Sequence, residues 1–221
     1  MWLEHDMLTD TKNTNGFFCV TTSYRNEPNP IKGRHDIVFP MFEFELKGDF
    51  ETLVKFCEGL LSHLGFNKNE FQYGDYEDVA KEYNTSSIEH EHEQKILKEK
   101  GTVFFLKNFP MRTDPFWNMK RHPDGKLAYK LDVIVNGMET IGSAERSTDP
   151  VQMIKDFYEI SNGEYSKILY EKLDKESVDK ELQEYLFVPT LKTTVRCGGG
   201  IGLTRLIKGM RENDLIDCNR I

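Results

Sequence analysis

Alternation of apolar and polar residues predicts two strands near the start of the chain. Residues 16–25 (GFFCVTTSYR) are rich in β-branched and aromatic side chains, which favour extended backbone. A polar loop follows over 26–36, and residues 37–46 (IVFPMFEFEL) then alternate between apolar and acidic side chains. Pro40 is an objection to the second strand, because a proline is poorly tolerated inside a central strand.

Helical spacing of apolar residues predicts the helices. Residues 49–64 begin at Asp49, a plausible N-cap, and another helix opens at Asp149-Pro150 and runs through Tyr158. A further helical stretch covers 164–185. The polar region 67–101 is expected to carry helices and to end at a glycine stop.

The remaining apolar segments complete an α+β pattern. Residues 103–110 and 129–140 are predicted strands, the latter with a turn at Asn136-Gly137. Residues 190–210 are interpreted as a strand, a glycine turn and a closing helix. This order predicts a mainly antiparallel β-sheet flanked by helices, in one domain over residues 1–221.

Composition narrows the class of protein. The chain has 221 residues and a net charge of −8, which argues against non-specific nucleic-acid binding. There is no long apolar run and no signal-peptide pattern at the start, so we expect a cytoplasmic protein without a membrane association. The four cysteines are widely spaced, form no CxxC pair and predict a reduced compartment.

Three segments carry candidate chemistry. The first is Gly198–Leu206 (GGGIGLTRL), where glycines allow close approach of a ligand and Arg205 is suited to a phosphate. The second is Ser23–Glu45, where Arg25 and Glu27 share one strand parity. The alternative for this segment is an ordinary hairpin with a solvated charged face.

The third segment is LDVIVNGMETIGSAER, in which Asp132, Glu139 and Arg146 are spaced seven and seven apart. Two carboxylates that flank a turn can hold Mg²⁺, which in turn binds phosphate oxygens. Taken alone, an Asp and a Glu near a turn are more often surface residues.

Together the three segments resemble the class II aminoacyl-tRNA synthetases. The second segment is similar to their motif 2 and Gly198–Arg205 is similar to their motif 3. The phrase NGMETIGSAERSTDP matches the aspartyl/asparaginyl subgroup, and Met41 and Glu43 favour its asparaginyl side. The resemblance extends over about residues 16–217.

The resemblance implies an ATP-dependent ligase that activates asparagine or aspartate as an aminoacyl-adenylate. Arg25 would contact the α-phosphate and Glu27 the adenine amino group. Phe39 and Arg205 would sandwich the adenine. The expected ATP-binding residues are Arg25, Glu27, Arg34, His35, Phe39, Gly200, Gly202 and Arg205, of which Arg25 and Arg205 are also catalytic.

The resemblance also assigns the metal and the amino acid. Asp132 and Glu139 would bind Mg²⁺, Glu43 would lie near the substrate amino group or side chain, and Arg146 would read the side chain. The acceptor is ammonia, a small amine, a carrier or tRNA.

The resemblance is incomplete. Motif 1 and the anticodon-binding domain are not recognisable, and Thr204 stands where an acidic residue usually precedes the motif 3 arginine. The alternatives are a stand-alone asparagine synthetase-related enzyme, a non-catalytic regulatory paralogue that binds ATP or the amino acid, and a synthetase fragment that needs a partner chain. A homodimer is also left open.

Overall fold

The computed structural model describes residues 2–12, 14–25, 30–31, 33 and 36–216. The strands are β1 Gly16–Tyr24, β2 Val38–Lys47, β3 Gln72–Asp75, β4 Val103–Pro110, β5 Leu127–Val135, β6 Met138–Glu145 and β7 Arg196–Gly202. The helices are α1 Trp2–Thr9, α2 Phe50–His63, α3 Tyr76–Glu82, α4 His90–Lys100, α5 Pro150–Glu159, α6 Glu164–Lys172, α7 Lys175–Leu186 and α8 Leu203–Glu212. Among these helices, none has the length and apolar character needed to cross a membrane.

All strands of the described residues belong to one sheet, in the order β1-β2-β7-β6-β5-β4-β3. Neighbours are antiparallel except β3 and β4, which are parallel. The α+β prediction with a mainly antiparallel sheet is therefore confirmed. Strand β3 was not predicted, because its four residues lie in a polar region that has no alternating pattern.

The predicted glycine turn after the last strand is wrong. Gly198, Gly199 and Gly200 lie inside β7, which pairs with β2 on one side and with β6 on the other. Glycine has a low intrinsic preference for strands, so the hydrogen bonds of two neighbouring strands hold this segment extended.

Pro40 fits its strand for a topological reason. It pairs with Thr22 of β1, whereas the ladder between β2 and β7 begins one residue later, at Met41. The missing N–H of Pro40 therefore leaves no gap in the ladder with β7.

Local signals set several element ends. Asp49 accepts a hydrogen bond from the Thr52 backbone N–H at the start of α2, as its N-cap role requires. The Asn136-Gly137 turn has positive φ at both residues, 48° and 70°, and joins β5 to β6 as a hairpin. The predicted 164–185 helix is two helices, because Asp174 caps a new one, α7.

One face of the sheet is closed by α2 and α8. Leu53, Cys57 and Leu61 of α2 pack with Leu206 of α8 against apolar side chains of the central strands. On the opposite face, one apolar cluster lies under α5 and α7, and another lies under α3 and α4. Among the described residues, no helix covers the middle of this second face, which we call the cleft face.

Helix α1, which was not predicted, is joined to the sheet by a buried ion pair. The Glu4 carboxylate accepts a hydrogen bond from Nε of Arg196 at 2.7 Å, and both side chains are almost fully buried. Tyr185 and Asn118 also donate to Glu4. The favourable charges of Arg146 and Arg196 and these hydrogen bonds lower the pKa of Glu4, although burial opposes them.

Glu4→Gln is expected to lower the free energy of unfolding by about 3 kcal/mol, because it leaves the Arg196 guanidinium buried without a counter-charge. Chemical denaturation measures the change. Glu51→Gln, at an exposed position on α2, is the control and should change the stability little. A loss below about 1 kcal/mol in Glu4→Gln would contradict this account of the ion pair.

Candidate active site

The floor of the cleft face is made of glycine. Strand register places Gly202 opposite Met41, Gly200 opposite Glu43, and Gly200 also opposite Gly142 of β6. Since side chains alternate between the faces of a strand, these glycines carry no side chain on the cleft face, where the end of the flexible Met41 side chain lies over Gly200. A ligand can therefore lie directly on the sheet.

A cavity of about 180 Å³, the main cavity, lies over this floor. It brings together residues that are far apart in the sequence and were predicted from three separate segments. The predicted site residues that line it are Arg25, Phe39, Glu139, Gly200, Gly202 and Arg205.

The main cavity combines an aromatic ring with two guanidinium groups. The Arg25 guanidinium carbon lies 5.2 Å from the centroid of the Phe39 ring. Arg205, in the first turn of α8, donates from Nη1 to the backbone oxygen of Glu139. An aromatic face and guanidinium groups suit a ligand that carries both a flat ring and phosphates.

Glu139 also lines a second cavity, of about 400 Å³, together with Asp132, Glu93 and Lys130. We call it the acidic cavity. A Cβ at Gly142 would lie 2.9 Å from Oε1 of Glu139 and 3.8 Å from Oδ1 of Asp132, so both carboxylates lie over this glycine.

Asp132 is the buried member of this pair. Its Oδ1 atom has no hydrogen-bond partner among the described residues. Burial raises the pKa of Asp132 to about 7, with a further upward contribution from Glu139, whereas Lys130 opposes the shift. A buried carboxylate oxygen without a donor, next to a second carboxylate, fits a hard cation such as Mg²⁺.

In the part of the chain that the structure describes, no group of three or more His, Cys, Asp or Glu side chains is arranged to hold a metal ion. Asp132 and Glu139 therefore supply at most two ligands. This number agrees with the usual Mg²⁺ sites of nucleotide enzymes, where phosphates and waters complete the shell.

Two further residues of the acidic cavity were missed by the sequence analysis. Nζ of Lys130 lies 2.5 Å from Oδ2 of Asp132. Oε2 of Glu93 accepts a hydrogen bond from the Glu139 backbone N–H at 2.9 Å. Lys130 and Asp132 are two residues apart in a predicted strand, and this spacing could have predicted that their side chains lie on the same face.

Glu43 and Arg146 lie on the cleft face outside the main cavity. Oε1 of Glu43 accepts a hydrogen bond from the Thr21 hydroxyl at 2.8 Å. The Arg146 guanidinium forms a largely buried ion pair with Glu45, with Nε 3.0 Å from Oε1. The roles expected for Glu43 and Arg146 in amino-acid binding stay predictions.

Comparison with known proteins assigns the family. Residues 11–218 match the model of the tRNA synthetases class II (D, K and N). The chain belongs to this family. Its members are ATP-dependent ligases, and the predicted resemblance to the aspartyl/asparaginyl group is thereby supported.

Solved structures of this synthetase family share the fold. The Entamoeba histolytica asparaginyl-tRNA synthetase in complex with asparaginyl-adenylate has a TM-score of 0.73 and 20% identity, over 96% of this chain and 52% of that one. The Pyrococcus horikoshii asparaginyl-tRNA synthetase complexed with asparaginyl-adenylate has a TM-score of 0.71 and 18% identity, with coverages of 96% and 52%. The Entamoeba histolytica aspartyl tRNA synthetase has a TM-score of 0.70 and 18% identity, with coverages of 95% and 46%.

The chain spans about half the length of these synthetases. No curated protein matches its sequence significantly. Three predicted ATP-binding residues of the synthetase-like motif 2, Glu27, Arg34 and His35, lie outside the described residues.

The two faces of β7 predict losses of stability of different size on substitution in this synthetase sheet. A Cβ at Gly199 would lie within 3 Å of the Gly142 backbone oxygen and of Ser143, which cannot withdraw. At Gly200 it would meet only the end of the flexible Met41 side chain. We expect Gly199→Ala to lower the free energy of unfolding by about 2 kcal/mol or more, and Gly200→Ala by less than about 1 kcal/mol.

Chemical denaturation of the two variants side by side measures this difference. Each variant adds one methyl group to the same strand, so each serves as the control for the other. Equal losses of stability would mean that the register of β7 differs from the one described.

Proposed function

We propose that this chain binds ATP and an amino acid, asparagine or aspartate, and joins them as an aminoacyl-adenylate with release of pyrophosphate. The main cavity carries this proposal, because it gathers Arg25, Phe39 and Arg205 over a glycine floor beside Glu139. Membership in the synthetase family supports it, and so do two structural relatives solved with asparaginyl-adenylate.

The arrangement provides for an in-line displacement at phosphorus. A carboxylate oxygen of the amino acid attacks the α-phosphorus, and the bond from that phosphorus to the bridging oxygen of the β-phosphate breaks. No proton has to be transferred, so the reaction needs positioning and charge stabilisation rather than a general base.

The cationic side chains of the cavity supply the stabilisation. In this proposal Arg25 holds the α-phosphate and the attacking carboxylate. Arg205 stacks on the adenine opposite Phe39 and reaches the terminal phosphate.

Asp132 and Glu139 are the residues that would hold Mg²⁺ in this proposal. When bound there, the ion would neutralise charge on the phosphate oxygens of ATP. The observation that favours this position is that Oδ1 of Asp132 has no hydrogen-bond partner in the part of the chain that the structure describes.

Charge balance favours asparagine over aspartate. At the buried end of the cleft face, Arg146 is already paired with Glu45, and Arg196 with Glu4. These two pairs sum to zero charge, so the carboxylate of an aspartate side chain would be the unpaired ion there. A neutral amide avoids that cost.

ATP–pyrophosphate exchange with each of the twenty amino acids and Mg²⁺ tests the proposal. We expect exchange with asparagine and little or none with aspartate. Exchange that depends on aspartate instead would overturn the charge argument but keep the adenylate chemistry. ATP binding without exchange for any amino acid would favour a regulatory paralogue, or a synthetase fragment that needs a partner chain.

The acceptor of the activated amino acid is a separate question. The family uses tRNA, and we propose tRNA ahead of ammonia, a small amine or a carrier for that reason. Incubation of the pre-formed adenylate complex with each acceptor, followed by detection of the product, distinguishes these four.

Arg205→Ala is expected to weaken ATP binding by about 10- to 100-fold, because a charge-assisted contact to a phosphate contributes about 1.5–3 kcal/mol. Calorimetric titration with ATP measures the change. Arg211→Ala, at an exposed position in the last turn of the same helix, is the matched control. An ATP affinity that is the same in Arg205→Ala and in the control would show that this arginine does not touch the nucleotide.

A further inference from the structure

The Lys130 ammonium group lies against Asp132, one of the two carboxylates of the proposed metal site. Its Nζ atom lies 2.5 Å from Oδ2 of Asp132, and the ion pair is largely shielded, with side-chain exposures of 22% and 10%. The other oxygen of the same carboxylate, Oδ1, has no hydrogen-bond partner among the described residues. One carboxylate therefore has an oxygen bound to a cation and an oxygen left open.

The surroundings of Lys130 are acidic. Asp132, Glu139 and Glu93 line the same cavity as Lys130. Glu93 is tied to the Glu139 backbone N–H. Arg112 lines this cavity as well, but it is paired with Glu77, whereas the Lys130 ammonium is paired with Asp132 and balances part of the repulsion among these carboxylates.

The Lys130 ammonium also has a second favourable contact. Nζ lies 3.7 Å from the centroid of the Phe109 ring, close enough for a cation–π interaction. A lysine carries its charge on a flexible four-carbon stem. The ammonium can therefore turn away from Asp132 and keep its contact with this ring.

We propose that Lys130 is a built-in counter-cation that competes with the divalent ion for Asp132. The proposal rests on the metal position given under the proposed function, and it concerns how that position is filled. Without nucleotide, the Lys130 ammonium stays paired with the Asp132 carboxylate and keeps the affinity of the site for a free divalent ion low. A divalent ion gains access when the ammonium leaves Oδ2.

This competition favours delivery of the metal with the nucleotide. Asp132 and Glu139 alone offer two carboxylates, one of them already partly neutralised by Lys130, which is a weak set for a free divalent ion. The phosphates of a metal–ATP complex bring further oxygen ligands and negative charge. Those phosphates can also attract the displaced ammonium.

Binding of Mn²⁺ to the full chain, without nucleotide and followed by electron paramagnetic resonance of the free ion, tests the proposal without measuring activity. Lys130→Met removes the charge and keeps a similar stem, and we expect it to bind Mn²⁺ about tenfold more tightly than the wild type. Lys130→Gln should show the same direction of change. Lys130→Arg keeps the charge and should stay close to the wild type.

Lys107→Met is the matched control. Lys107 lies on β4 opposite Leu131 of β5, on the face of the sheet away from the cleft, so its loss should leave Mn²⁺ affinity unchanged. In the double variant Lys130→Met with Asp132→Asn, the gain in affinity should disappear, because the carboxylate that binds the ion has been removed.

Unchanged or weaker Mn²⁺ binding in folded Lys130→Met and Lys130→Gln would overturn the proposal, as would an equal gain in Lys107→Met. This outcome is distinguishable from failure of the proposed function, which is judged by pyrophosphate exchange. A chain that exchanges pyrophosphate but shows no gain on loss of Lys130 has the activity without the competition. A chain that shows the gain but no exchange has the competition without the activity.

Discussion

The bare backbone at the centre of the sheet is the constraint on which the rest of the site depends. At Gly142, Gly200 and Gly202, two adjacent strands carry no side chain of their own on the cleft face. A β-carbon at any of these positions would reduce the space over the floor, and at Gly142 it would reach the Glu139 carboxylate. Glycine-rich β7 has a low intrinsic preference for extended structure, and its pairing with β2 and β6 holds it in the sheet. This pairing is what allows a glycine floor under the cavity.

The charges around this floor come from several elements of the sheet. Arg25 follows β1 and Arg205 lies in the first turn of α8, and both line the main cavity together with Asp36 and Glu139. Asp132 and Glu139 lie on β5 and β6, toward the acidic cavity. Under the proposed function, a polyphosphate would lie between the guanidinium groups of the main cavity and the carboxylates of the acidic cavity. This arrangement of charges suits an anionic ligand with a divalent ion better than a neutral ligand of the same size.

A second buried set of charges lies under α1. Both carboxylate oxygens of Glu4 accept hydrogen bonds, one from Arg196 and Tyr185 and the other from the Asn118 amide, and Arg196 also donates to Tyr185. An ion pair held in this way has a fixed local geometry, and it anchors α1 to β7. In the acidic cavity, by contrast, Oδ1 of Asp132 has no hydrogen-bond partner among the described residues, and an open buried carboxylate oxygen is more typical of a binding site than of a structural one.

Much of the candidate site was predictable because its residues sit in short segments with their own local signals. Arg25, Phe39, Glu139, Gly200, Gly202 and Arg205 were predicted from the motifs, and they line one cavity in the structure. The resemblance to a known family carried most of that prediction, since each segment alone also had an ordinary structural explanation. Motifs did not predict the contacts of Glu43 and Arg146. In the structure Glu43 accepts a hydrogen bond from Thr21, and Arg146 is paired with Glu45.

The sequence by itself determined the features that depend on neighbours along the chain. These are the alternation of β2, the caps of α2 and α5 at Asp49 and Asp149, and the two-residue Asn136-Gly137 turn. Only the tertiary structure decided that the glycine segment is a central strand, that Lys130 is bonded to Asp132, and that Glu4 is buried against Arg196, 192 residues away. The physical reason is the same in each case: backbone ladders and buried ion pairs are stabilised by partners that the fold brings together, and no local pattern records those partners.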